Sequence, residues 1–133
     1  MQSPPFIRRT YDETVNLMVE ARNYMAYVER GERERVELTT GLRMSCEAMR
    51  ITSRLTQVMA WLMMQRAVEE GEIPPEQALA EENRLSGSDV CTDVTFAEDE
   101  ALPNGLRSLL DRSLRLYMRV ARIEEQMLRH RLH

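Results

Sequence analysis

Apolar positions along this chain recur at helical rather than strand spacing. Tyr11, Val15, Met18, Met25 and Val28 follow one another every three, four or seven residues, with Leu17, Ala21 and Tyr24 beside them. This predicts a first helix over about 11–29 with a wide apolar face. Thr10-Tyr11-Asp12-Glu13 fits a capping box, in which the Thr10 hydroxyl accepts the Glu13 N–H and the Glu13 carboxylate reaches back. Gly31 supplies a stop. A second periodic segment covers about 34–70 and carries Leu38, Leu42, Met49, Leu55, Val58, Met59, Leu62 and Met63, with Gly71 beyond it. Such a helix is roughly 50 Å long, and Thr39-Thr40-Gly41 is the place where it could bend or start late.

Ile73-Pro74-Pro75-Glu76 breaks the period, and Pro75 suits the first turn of a short helix reaching Asn83. Residues 86–101 contain Gly87, small polar residues and five acids (Asp89, Asp93, Glu98, Asp99 and Glu100) with no arginine. They are expected to form a long mobile loop, which Val90, Val94 and Phe96 could pin. A third helix, about 102–129, buries Leu106, Leu109, Leu110, Leu114, Tyr117, Val120, Ala121, Ile123, Met127 and Leu128. Helix 2 outreaches helix 1, so one of its ends needs a further partner. The expected fold is all-α: one antiparallel three-helix bundle over 1–133, with a long second helix and a long acidic loop before the third.

Composition adds little to the fold but narrows the chemistry. A chain of 133 residues buries enough surface to fold without disulfide or metal. No apolar run reaches the ~20 residues that cross a bilayer, and no secretory signal opens the chain. Cys46 and Cys91 have no metal-type spacing and are read as reduced cytosolic thiols, which places the protein in the cytoplasm. All 18 basic residues are arginine, so no side-chain amine is present for Schiff-base chemistry. Net charge is −4 and uneven: residues 1–101 hold 11 Arg against 19 acids, and residues 102–133 hold 7 Arg against 3. The third helix is the basic part of an acidic protein.

No Ser, His and acid arrangement and no glycine-rich phosphate loop occurs. His130 and His133 lie at the chain end without further ligands, so no metal, cofactor or catalytic residue is expected. The ten methionines are read mostly as core filler, with an adaptable protein-binding patch as the other use. Arg112, Arg115, Arg119 and Arg122, three and four apart, form a row on one helix face. The row is either a solvated face paired with acids of other helices or a docking face for an acidic partner. Glu98, Asp99 and Glu100 are either part of a solvated loop or a recognition segment that orders on binding. Wide apolar faces on long helices predict a homodimer, with Trp61, Tyr24 and Tyr27 as candidate anchors.

Three segments in order carry a resemblance. The run from Met49 to Val68 combines Arg54-Leu55-Thr56-Gln57, Ala60-Trp61-Leu62 and Gln65-Arg66-Ala67. It resembles the central helix of the family named for the regulator of CtrA degradation, the RcdA-like, DUF1465-type bacterial proteins. Val19 to Tyr24 is similar to that family's first helix, and Ser113 to Ile123 to its third. The resemblance implies a dimeric three-helix bundle without catalytic residues, an adaptor that helps deliver a cell-cycle response regulator and other cargo to the ClpXP protease. Better-known members continue past the third helix into a flexible tail that binds cargo or partners, whereas this sequence stops at His133. Two other readings compete. A small nucleic-acid-binding regulator would use the arginine row on phosphates. A helical enzyme of the chorismate mutase kind would need several arginines converging in a closed polar pocket.

Overall fold

The structure is a computed structural model and describes residues 5–92 and 101–132. Every regular element among them is helical: α1 (Pro5–Tyr27), α2 (Glu29–Glu34), α3 (Leu38–Glu69), α4 (Pro75–Ala78), a 3₁₀ turn (Glu81–Asn83), α5 (Ser88–Cys91) and α6 (Asn104–Leu132). The three long helices α1, α3 and α6 share one apolar core.

Helix α1 starts six residues before the expected Tyr11. Pro5, with φ pre-set for a helix, opens it. Its buried stripe is Ile7, Thr10, Thr14, Leu17, Ala21 and Tyr24, a three-four spacing that begins a full turn before the expected cap. Thr10 is therefore a helix-interior residue and not an N-cap. Its carbonyl accepts the Thr14 hydroxyl at 2.6 Å, and Glu13 turns away to α6. Burial of Ile7 outweighs the capping box, since an apolar side chain in the core is worth ~2 kcal/mol and a cap about 1.

Gly31 does not stop a helix either; it lies inside α2, which fills the corner between α1 and α3. Helix α3 is one helix of 32 residues that starts late, at Leu38 rather than near 34, just before Thr39-Thr40-Gly41, and Gly41 lies inside it. A Cβ there would come within 3.1 Å of the Arg33 Cγ, so glycine serves the close approach of α2. At the far end Gly71 takes φ +75°. The Gly71 N–H donates to the Val68 carbonyl and the Glu72 N–H to the Ala67 carbonyl. This is a Schellman termination, which needs the left-handed conformation that glycine adopts without strain.

Helix directions follow from the contacts. Arg66 stacks over the Tyr11 ring at 5.2 Å, while Arg22 lies beside Leu55, so α1 and α3 are antiparallel. Glu13 pairs with Arg119 and Glu20 with Arg112, so α1 and α6 are antiparallel too. Helices α3 and α6 consequently run the same way. A plain up-down-up chain would make the first and last helices parallel instead. Residues 70–103 must therefore travel back along the bundle, and α4, the 3₁₀ turn and α5 lie on that return path.

Leu62 is fully buried at the centre of the shared core. Leu62→Ala should lower unfolding free energy by about 2–5 kcal/mol, read as a fall in the urea midpoint with an unchanged m-value. A loss below 1 kcal/mol would mean that the core collapses around the site.

Candidate functional site

The arginine row of α6 divides into two pairs. Residues seven apart return to nearly the same side of a helix, and residues three apart are turned by about 60°. Arg112 and Arg119 face α1. Arg112 makes a bidentate fork with Glu20, at 2.7 and 2.6 Å, and Arg119 one with Glu13, at 2.6 and 3.1 Å. The Arg112 hydrogen bond holds the Glu20 carboxyl below its usual range, against a smaller opposing effect of burial. Arg115 and Arg122 face outward and are exposed. Arg115 pairs along its own helix with Asp111 at 2.5 Å, and Arg122 has no ion pair among the described residues. The row is thus half seam and half open surface, with exposed Met118 between Arg115 and Arg122.

The expected anchors separate likewise. Trp61 is only 2% exposed and belongs to the chain's own core. The buried stripe of α3 runs through Met44, Ile51, Leu55, Val58, Trp61 and Leu62, which turns the indole inward between the other helices. Tyr24 is also buried. Its phenol donates to the Glu32 carboxylate at 2.6 Å, and burial, then that bond, pushes its pKa up. Of the three only Tyr27, 82% exposed, lies on the surface. Glu98, Asp99 and Glu100 lie outside the described residues.

The methionines depart from the core-filler reading. Met44 is fully buried, but Met49 and Met63 are more than half exposed, as are Leu38 and Leu42. All lie on one outward stripe of α3: Leu38, Leu42, Ser45, Met49, Thr52, Thr56, Met59 and Met63. The spacing alternates four and three throughout, that of an a/d stripe, with Ser45, Thr52 and Thr56 as its polar members. Next to it, Met18, Ala21, Arg22 and Met25 of α1 and Thr52, Leu55 and Thr56 of α3 line an open apolar groove of about 460 Å³. The heptad spacing is legible in the sequence; reading the apolar residues as a single wide face hid it.

A second feature was not foreseen at all. Arg54, in the middle of α3, is 1% exposed. Its Nε donates to the Cys91 carbonyl at 2.6 Å, and its Nη1 to the Leu110 carbonyl at 2.9 Å and the Ser113 hydroxyl at 3.1 Å. One turn earlier Arg50 donates to the Val90 carbonyl at 2.9 Å and pairs with buried Glu47. These bonds give part of the loop expected over 86–101 a fixed place. Ser86–Thr92 is fastened to α3 and α6, and Ser88–Cys91 forms a helical turn; residues 93–100 lie outside the described residues. The Cys91 thiol is pushed up by burial. Tyr117, beside it, is pushed up to about 12, chiefly by burial.

Among the described residues these charged groups are tied to one another and to main chain rather than gathered at a pocket. The guanidinium of Arg54 is occupied by the protein's own acceptors, and the α6 row does not converge on a pocket. No cluster of three metal-ligating side chains occurs among the described residues. No helix among them is long and apolar enough to cross a membrane.

The whole chain, residues 1–133, matches the family model described as a protein of unknown function, DUF1465. The chain belongs to the DUF1465 family. It is also similar to a solved structure, the crystal structure of RcdA from Caulobacter crescentus CB15. The two are 38% identical, the match covers 94% of this chain and 92% of that one, and the TM-score is 0.76. No curated protein matches the chain. Membership of an RcdA-like DUF1465 family therefore stands on sequence and on fold together.

The Arg112–Glu20 pair carries a pH signature. A carboxyl whose folded pKa is depressed stabilises the fold above its unfolded pKa, and that contribution is lost as pH falls through the folded value. Both side chains are about half exposed, so the pair is worth at most about 1 kcal/mol. Arg112→Ala should lower the urea midpoint modestly at pH 7. The gap from wild type should close as pH drops below Glu20's ordinary 4.5, and added salt should narrow it. A gap independent of pH would assign the effect to lost packing instead.

Proposed function

We propose that this DUF1465 protein is a non-enzymatic adaptor of regulated proteolysis in the cytoplasm, built as a three-helix bundle, which helps bring a cell-cycle response regulator to the ClpXP protease. The observation that carries this reading is the 38% identity to RcdA over nearly the full length of both chains. An adaptor needs surfaces rather than a reaction centre, and the open half of the α6 row is such a surface. Arg115 and Arg122 flank Met118, which suits an acidic partner with an apolar contact at its centre. Glu98, Asp99 and Glu100 are the second proposed contact. Nucleic-acid binding loses ground, because Arg112 and Arg119 are each neutralised by a fork from α1 and the row cannot meet phosphates with four free charges.

The test uses purified ClpXP and a response-regulator cargo. The immobilised chain should retain one or both, and Arg115→Glu with Arg122→Glu should weaken retention by tenfold or more, about 1.4 kcal/mol, at unchanged helix content. Equal retention by the double variant would remove the α6 surface from the proposal. No retention of either component by wild type would remove the adaptor reading.

We further propose that the protein works as a homodimer through the outward stripe of α3. A two-fold axis near the middle of α3 sets two such stripes against each other. The small Thr52 and Thr56 then meet at the centre and the methionines pack on either side. Sedimentation at micromolar concentration should give twice the 15.6 kDa of one chain, and Met49→Glu with Met63→Glu should return it to one. A wild-type mass of a single chain would overturn the dimer, and a double variant that still dimerises would overturn its placement on α3.

A further inference from the structure

Five side chains of the bundle reach the strap Leu85–Thr92, and each meets a main-chain atom. Arg50 and Arg54 donate to the Val90 and Cys91 carbonyls, and the Tyr117 hydroxyl donates to the Ser86 carbonyl at 2.8 Å. Glu124 accepts the Leu85 N–H at 2.8 Å, and Gln57 accepts the Ser86 N–H at 3.2 Å. Side chains of the strap add the Ser86 hydroxyl, on the same Gln57 oxygen, and the Cys91 thiol beside Tyr117. Main-chain recognition supplies affinity whatever the sequence, as where peptides lie along a host and only a few pockets select side chains.

The strap's own apolar stake is small. Ser86 through Val90 are exposed, Leu85 is half-buried, and Cys91 alone is inserted. Segments with few buried apolar contacts sit at the low-stability end of a fold and open first. The seam beneath is mixed: Glu47, Arg54 and Ser113 are buried there, with Arg50 and Gln57 at its edge, and Cys91 and Leu85 touch the apolar core beside them. A purely structural seam is served as well by apolar residues, since replacing buried charges by apolar packing is often neutral or stabilising. The polar part of the seam, unlike an apolar one, tolerates water when it is uncovered.

We infer that the seam of α3 and α6 beneath the strap is a peptide-binding site, a cleft once uncovered, that the chain keeps closed with its own strap. The partner is a flexible protein segment of the strap's length. It turns carbonyls toward Arg50, Arg54 and Tyr117 and places a small apolar side chain in the Cys91 position. The closed strap lowers apparent affinity by the fraction of time the cleft is open, so partners with a better side chain at that position displace it first. This deepens the adaptor reading by giving it a site for a flexible segment, but it makes no use of ClpXP or of the Arg115 and Arg122 surface.

The experiment uses the full chain and a fluorescent, end-capped synthetic peptide of residues 84–92 under reducing conditions. Gly87 holds φ +76°, so Gly87→Val strains the strap and leaves every cleft side chain in place. Leu85→Ser loosens the strap a second way, should the first variant fail to fold. Amide exchange at Leu85 and Ser86 should rise in both variants, and the peptide should bind them at least about tenfold more tightly than wild type. Adding Tyr117→Phe with Gln57→Ala to either variant should abolish that gain. Three results would overturn the inference: strap amides as protected as those of mid-α3 in both variants, an open strap without peptide binding, or binding indifferent to Tyr117 and Gln57. Peptide exchange with no retention of protease or cargo would sink only the adaptor reading, and the reverse result only the cleft.

Discussion

A single guanidinium joins the three parts of the chain that topology keeps apart. Arg54 leaves the middle of α3 and holds the Cys91 carbonyl of the returning strap and the Leu110 carbonyl and Ser113 hydroxyl of α6. Because α3 and α6 run in the same direction, no short turn can connect them, and loop closure over residues 70–103 carries a substantial entropic cost. Something must fix where the return path lies. Burying a charge is expensive, but a charged donor meeting several main-chain acceptors is among the stronger hydrogen-bonding arrangements in a protein. Arg54 directs its donors to acceptors on two different elements, the strap and α6. Ser113 completes the arrangement by donating its own hydrogen to the Leu110 carbonyl.

Helix α3 then has to serve two masters. Its inward side packs simultaneously on α1 and α6 through Ile51, Leu55, Val58, Trp61 and Leu62. Its outward side keeps Leu38, Leu42, Met49 and Met63 in solvent. A helix apolar all round is normally buried all round, and methionine is the apolar residue best suited to contacts that are made and broken. The strap follows the same logic in polar form, with a cleft whose side chains remain compatible with water. Two surfaces of one helix, one methionine-rich and one charged, thus differ in what they suit: helix against helix on one side, main chain on the other.

The three long helices were legible in the sequence because burial imposes a period, and Gly71 was legible because its turn demands a left-handed residue. The errors share a cause. The capping box at Thr10 was a local signal overridden by Ile7, whose burial depends on α3 and α6. Gly31 read as a break, yet it sits inside a helix, and Gly41, beside the late start of α3, also gives α2 room, a tertiary requirement without a local signature. The four arginines of α6 looked like one row because threes and fours alternate, whereas sevens separate the seam pair from the open pair. The pinned strap had no periodic signature at all. Its holding groups lie up to 40 residues away, and they bind main chain, so nothing in the strap's own side chains announces them.

Absence of lysine gains a structural meaning only at some positions. At Arg54 the fork reaches three acceptors from one side chain. At Arg112 and Arg119 it engages both oxygens of a carboxylate. A lysine ammonium, a compact and strongly hydrated charge, cannot reproduce either geometry at the same desolvation cost. At Arg115, paired with Asp111 in solvent, a point charge would do as well. An arginine there is not required by the fold, so the uniform usage exceeds what the geometry demands and fits a bias in the coding sequence. The bias leaves every outward cation a planar, weakly hydrated group that can stack on a neighbour, as Arg66 does on Tyr11. On the proposed adaptor reading, that makes the exposed arginines of α6 better suited to desolvation at an interface than the lysines that ordinarily keep a surface wet.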